Sequence, residues 1–370
     1  MGAPAVSEVD RANVQGLVRF GYGDLHEARF LRFQIVDDSA ARAWLGELEL
    51  TCAAQFPGDR AVNLALTHRG MKRLGLAQSV LDEFAEELAR GMITPHRQRI
   101  LGDHGDSAPS EWDWGGPESP VDGVLLLYAA PGGMDDLAAT VLDRVRGVDL
   151  DDLDRPSWLP QEKEHFGFHD GIGQPNILGV NSAGPGPNSI AAGEILLGYP
   201  NQYGKYPHSP RLPAPSPVLG GDDLGKDGSY LVMRQLEQRV ADFWAFAREA
   251  ATAAGIGDRY PHAGDPAVVL AAKMVGRWPS GAPLVDAPDG DAPALAKEND
   301  FLYRRDGDAD GTACPFGAHI RRTNPRDWQL APEPDDALVV ANRHRILRRG
   351  RAYGPPLVDS METGELSRAP

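Results

Sequence analysis

VDGVLLLYAA, residues 121–130, decides the fold. It is a continuous apolar run of strand length. Residues 134–148 follow it with Leu137, Val141 and Val145 in helical register. Upstream, FLRFQIVD (30–37) is β-rich and ends in a turn. Across 40–56, Ala40, Trp44, Leu48 and Cys52 recur every four residues, as on one face of a helix. AVNLALT (61–67) alternates as a strand does, and Ser79 is placed to cap a helix with Val80, Leu81, Phe84 and Leu88 on its apolar face. Strand–helix–strand followed by strand–helix predicts an α+β sandwich of ferredoxin-like kind.

Downstream, residues 179–227 are rich in Gly, Pro, Asn and Ser and read as a long ordered connection. The pattern then restarts. SYLVMRQL (229–236) reads as a strand, 238–253 as a helix with Val240, Phe243, Trp244 and Ala247 on one face, and 267–276 as a shorter helix. Short β-rich pieces follow at 337–340 and 345–347. The expected organisation is therefore a first half at 1–178, a connection at 179–227 and a second half at 228–370. The second half has no counterpart of the first half's late strand–helix set.

The chain's 370 residues suggest about two domains at ~150 residues each and suffice for a hydrophobic core. With 42% hydrophobic and 24% charged residues, the composition excludes a disordered chain, a collagen and a coiled coil. The formal charge of −16 opposes broad nucleic-acid binding. Two cysteines, Cys52 and Cys314, cannot form a disulfide framework. The opening MGAPAVSEVD has neither an export signal nor, with Ser7 one position late, a myristoylation pattern. No apolar run reaches the ~18 residues of a membrane span. These features predict a cytoplasmic protein with no membrane and no nucleic-acid partner.

Three segments carry chemistry. GFHDGIGQP (167–175) packs three glycines and a proline into nine residues, which forbids a regular helix and lets a ligand approach the backbone. Asp170 at its centre is either the head of an Asp-Gly turn or a proton shuttle whose carboxyl the apolar flanks desolvate. His165 and His169 have the i, i+4 spacing of helical zinc sites, but the glycines oppose a helix and the motif's Glu is missing. DGDADG (306–311) imitates the start of a calcium loop, yet Gly317 stands where the twelfth-position Glu belongs, so a solvated acidic turn is expected. Between His319 and Arg351 lie eight arginines and four acids, a positive excess suited to carboxylates or phosphates or simply a solvated basic face. A histidine ligand, arginines for carboxylates and a glycine-framed acid together match the needs of a haem.

The sequence resembles a dye-decolourising-type haem peroxidase. The resemblance runs through VQGLVRFGYG (14–23), LGDHGDSAPSEWDWGG (101–116), EHFGFHDGIGQP (164–175) with its GxxDG signature at Gly167, Asp170 and Gly171, GEILLGYPNQYG (193–204), GSYLVMRQLEQ (228–238), AAKMVGRWPSGAPL (271–284), CPFGAHIRRTNPR (314–326) and HRILRRG (344–350). It implies two ferredoxin-like halves with haem b in the second. It implies His319 as proximal iron ligand, Asp170 as distal acid–base and Arg348 as distal arginine, with Arg349 the one-residue alternative. Gly171, Ile172 and Gly173, and likewise Asn324, Pro325 and Arg326, would border the haem. The implied activity is oxidation of dyes or phenols by hydrogen peroxide in one-electron steps; the alternative is a haem-binding protein, a carrier, deferrochelatase-like or an inactive truncated homologue, without efficient turnover. Family members continue past the stretch matching RAYGPPL, so the resemblance implies an incomplete second half: a truncated gene product, a half completed by a partner chain or a homo-oligomer, or a pared-down fold.

Overall fold

The computed structural model describes residues 8–153 and 163–354, with the backbone of 358–360 and 365–366. The reading of Gly2 to Ser7 lies outside these described residues.

The first half is built as β1 (Glu27–Ile35), α1 (Asp38–Glu47), β2 (Arg60–Leu66), β3 (Gly123–Ala129), α2 (Met134–Leu142) and β4 (Val148–Asp152). The strands form one antiparallel sheet of order β2-β3-β1-β4. The apolar run that singled out β3 is explained by its central place, since all seven of its residues are buried. Side chains alternate across a strand. Leu31, Phe33, Ile35, Leu125, Leu127 and Ala129 therefore face α1 and α2, meeting Trp44, Leu137 and Val141. Ala28, Val124, Leu126 and Tyr128 face the other way, onto Tyr22 and Leu25. Each such fully buried large side chain stabilises the fold by ~1.5–3 kcal/mol relative to exposure.

Three local expectations are corrected here. The helix read at 40–56 stops at Glu47. Asp37 caps its start by accepting the N–H groups of Ser39 and Ala40 at 3.0 Å. Beyond it, Thr51 and Cys52 are drawn into extended pairing: Thr51 N–H donates to Val62 O at 2.8 Å and Cys52 bridges Gln15. The helix read at 134–148 ends at Leu142, because Gly147 turns the chain and Val148 opens β4. Ser79 lies inside a short helix, Gln78–Leu81, capped from Ala77, and a separate one covers Glu86–Arg90. Between them the Ala85 N–H is taken by the Tyr230 hydroxyl.

The middle segment is ordered, with a hairpin of Arg211–Ser216 and Gly221–Asp223. In the second half, α3 (Val240–Ala253) and α4 (Pro266–Val275) form close to where periodicity put them. They share a core with Phe168, Trp278, Phe301 and Tyr303. The strands read at 229–236, 337–340 and 345–347 do not form among the described residues. Residues 229–236 run extended, held by side chains instead of a ladder. Arg234 forks Asp103 at 2.6 and 3.1 Å, and Trp114 Nε1 donates to Gln235 at 2.7 Å. Residues 337–340 lie within a helix, Pro334–Asn342, whose Pro at the first turn and Asp335 and Asp336 suit a helix start. The α+β class thus rests on the first half's sheet with its helices and on the helical second half. Among the described residues, no helix is long and apolar enough to cross a membrane.

Candidate active site

The GFHDG loop is shaped by its own backbone. Gly167 N–H donates to Glu164 O at 2.7 Å and Glu164 N–H to Phe168 O at 2.9 Å. Gly167 takes φ +91°, a left-handed conformation that only glycine adopts freely. Asp170 emerges exposed, its Oδ1 accepting the Gly171 N–H at 2.7 Å. The turn-head role and an open carboxylate therefore coexist, and the expected desolvation of Asp170 is replaced by exposure to a cleft.

Arg348 arrives from 174 residues away. Its backbone N–H donates to Gln174 Oε1 at 2.8 Å, and its Nη2 donates to Gly173 O at 3.3 Å. Gly350 brings that segment against the loop so closely that a Cβ there would stand 2.7 Å from Asp170 Oδ2. Asp170, Gly171, Ile172, Gln174 and Arg348 line one cavity of ≈ 430 Å³, together with Glu164. Arg349 lines the same cavity, but its Nε and Nη2 donate to Leu17 O and Val18 O at 2.7 and 2.8 Å, so Arg348 is the less committed of the two guanidiniums.

His319 opens a short helix, α5 (His319–Thr323), which begins after the Cys314–Phe316 turn. Among the described residues its ring has no hydrogen-bond partner, and it is open to water. Its pKa is lowered by desolvation from the flanking protein and then by the Arg348 charge, with Asp170 opposing. That mutual influence puts His319, Asp170 and Arg348 within electrostatic reach of one another. Among the described residues none of the three is ion-paired.

The remaining expected residues divide. Asn324 and Arg326 are buried. Arg326 holds a left-handed φ of +52° and commits its guanidinium to Asn299 O, Phe301 O and Asn299 Oδ1 at 2.8–2.9 Å. It is a structural clamp. Arg321 is likewise a clamp, donating to Asp308 Oδ2 and Cys314 O at 2.8 and 2.7 Å. The expected solvated acidic turn at 306–311 is corrected here: Asp308 is buried, pairs with Arg321 and accepts the Ala313 and Cys314 N–H groups, while Asp306 accepts that of Leu302. Among the described residues no cluster of His, Cys, Asp or Glu could hold a metal ion. His165 and His169 instead meet the carbonyls of Tyr353 and Ser280.

Arg345 is the residue that sequence reasoning missed. It is 7% exposed, and among the described residues its side chain has neither a hydrogen bond nor an ion pair. Burial, then the positive charges of Arg326 and Arg348, pushes its pKa down to about 9. A buried cation without a counter-charge is costly. Such a group is suited to an anionic ligand. The R-x-x-R spacing of Arg345 and Arg348 in HRILRRG was the available signal.

No protein-family model matches the chain. The chain is 32% identical over 389 residues to Peroxidase 2 of Mycetinis scorodonius, across 99% of this chain and 68% of that protein. It is 30% identical over 383 residues to dye-decolorizing peroxidase msp1 of the same organism, across 99% and 69%. A dye-decolorizing peroxidase of Mycena epipterygia matches at 32% over 320 residues, across 81% of this chain and 54% of its own length. The chain therefore spans between about half and two thirds of these curated relatives. Among solved structures, an ancestral D-type dye decolorizing peroxidase superposes with TM-score 0.76 at 26% identity, covering 98% of this chain and 78% of that one. A decolorizing peroxidase from Auricularia auricula-judae gives 0.75 at 26%, covering 98% and 79%.

Proposed function

The chain belongs to the dye-decolorizing peroxidase family, and from that premise we propose that it is a haem b peroxidase, using hydrogen peroxide to oxidise dye or phenolic donors. The observation that carries this reading is the unpaired state of the site's charged groups. Asp170 and Arg348 line one cavity, and among the described residues neither they, nor His319, nor the buried Arg345 make an ion pair. Haem fits this need chemically, since it carries a metal for the imidazole and carboxylates for a guanidinium.

When bound, haem supplies the iron at which peroxide is reduced and stores oxidising equivalents for the donor. The chain's residues do the rest. His319 offers an imidazole nitrogen, and desolvation together with the Arg348 charge lowers its pKa, which favours the neutral ring. Asp170 takes a proton from one peroxide oxygen and returns it to the other, so that water leaves. Arg348 stabilises the negative charge that develops on the departing oxygen. A carrier needs neither Asp170 nor Arg348, which favours the peroxidase over the carrier. Cys52 and Cys314 are unpaired, in keeping with a cytoplasmic setting.

Hemin titration tests the reading. The purified chain is expected to develop a saturating Soret band that His319→Ala changes in position and intensity. No Soret band in the unsubstituted chain contradicts it.

A further inference from the structure

Among the described residues, the Asp170 side chain accepts one hydrogen bond, from the N–H of its own neighbour Gly171. Its position is therefore inherited from the loop that carries it, and that loop is built on another carboxylate. Glu164 Oε1 accepts the Phe168 N–H at 2.9 Å, and Oε2 accepts the Phe166 N–H at 2.9 Å. Gln238, two residues before α3, donates its side-chain N–H to Glu164 Oε2 at 2.6 Å. Phe166 stacks beside Phe243 of α3, with ring centroids 4.5 Å apart. On the far side, the His169 N–H donates to Pro279 O at 3.2 Å.

We propose that Glu164 is the positioning residue for Asp170, its carboxylate tying both N–H groups that flank Gly167 to Gln238 and so to the start of α3. The proposal rests on the reading of Asp170 as the proton carrier.

Several observations favour this over a purely structural carboxylate. Glu164 lines the same cavity as Asp170, and among the described residues it has no cationic partner. Burial raises its pKa, the Asp170 charge adds to the rise, and the hydrogen bonds from Phe168, Phe166 and Gln238 oppose it. A half-buried carboxylate with no counter-charge gains little for stability alone. It does present two acceptor oxygens to two amides two residues apart. A carboxamide has only one oxygen, so in Glu164→Gln at least one of these donors faces another donor.

The test compares haem-loaded wild type, Asp170→Asn, Glu164→Gln and the double variant, mixing each with hydrogen peroxide in stopped flow. Glu164→Gln is expected to slow the reaction by on the order of ten- to a hundredfold, the scale set by misplacing a reacting group. Hemin affinity should stay within about threefold, as coupling is confined to groups in contact. In the Asp170→Asn background, adding Glu164→Gln should change the rate by less than about twofold, because interacting sites are non-additive. Amide exchange on the haem-free chain should show faster exchange at Phe166 or Phe168 in Glu164→Gln. Gln238→Leu, which keeps the loop amides' acceptors, should give a smaller slowing of the same kind and serves if Glu164→Gln does not fold. An equal loss in both backgrounds, or no loss, overturns the proposal and leaves Asp170 in its role. An unchanged rate in Asp170→Asn instead overturns the underlying reading of Asp170.

Discussion

The two halves of this molecule hold their backbones by different means. In the first, the β2-β3-β1-β4 ladder satisfies the main chain, and side chains are left to pack. In the second, carbonyls that lack a ladder are capped by guanidinium forks. Arg277 reaches Gly281 O and Glu298 O, Arg326 reaches Asn299 O and Phe301 O, and Arg321 reaches Cys314 O and Asp308 O. Arg349 and Arg351 do the same for Leu17, Val18, Tyr22 and Leu25, lacing the second half to the first. Buried main-chain groups must be paired, and a planar fork with several donors pairs irregular carbonyls well. The difference teaches that an arginine-rich stretch can be a substitute for a sheet. Arg348 spends only its Nη2 on a side-chain bond to a carbonyl, that of Gly173, and among the described residues Arg345 caps none; both are less committed to the backbone than these forks.

This contrast can be broken most forcefully at Arg321. Its side chain is fully buried and paired with Asp308. Arg321→Leu strands that carboxylate, and thermal or denaturant unfolding should show a loss of ~3–5 kcal/mol. A loss below ~1 kcal/mol would mean that the forks decorate the second half without holding it. The counterpart in the ladder is Leu125, buried in β3. Leu125→Ala should cost ~2–5 kcal/mol through lost burial and a cavity, with hemin affinity unchanged because its face points to α1 and α2.

Arg345 sharpens the contrast from the opposite side. If it awaits an anion, Arg345→Leu should stabilise the haem-free chain by on the order of 1 kcal/mol while weakening hemin binding. A destabilised apoprotein would instead put Arg345 among the structural forks. The smallest effect is a slope. The Glu164 pKa is raised in the folded chain, chiefly by burial, above its ordinary 4.5. The folded state then holds the proton more tightly than the unfolded one, so this group's stabilisation is present below pH ~4.5 and is lost as pH rises through the raised value. Chemical denaturation of the apoprotein across that window should show a steeper fall for wild type than for Glu164→Gln.

The ladder was legible because strand and helix periods are local. Residues 121–130 and the start of 134–148 declared a strand and a helix, whereas β4 at Val148–Asp152 went unread. The site was legible in its loops, since Asp170 and Arg348 line one cavity, but not in its supports. Glu164 and Gln174 stood in plain view inside EHFGFHDGIGQP, yet what they hold depends on Gln238 and Arg348, 74 and 174 residues away. The strands misread at 229–236 and 337–340 fail for a related reason: β-propensity produces a strand only where a partner strand is present.

The central claim is that Asp170 and Arg348 act on peroxide beside haem held at His319. The most direct measurement is the stopped-flow rate of the haem-loaded chain with hydrogen peroxide, set against Asp170→Ala and Arg348→Ala at matched haem content. The account predicts slowing by ~10²–10⁴ in Asp170→Ala and a comparable loss in Arg348→Ala. Unchanged rates in both variants, with haem retained, would contradict it.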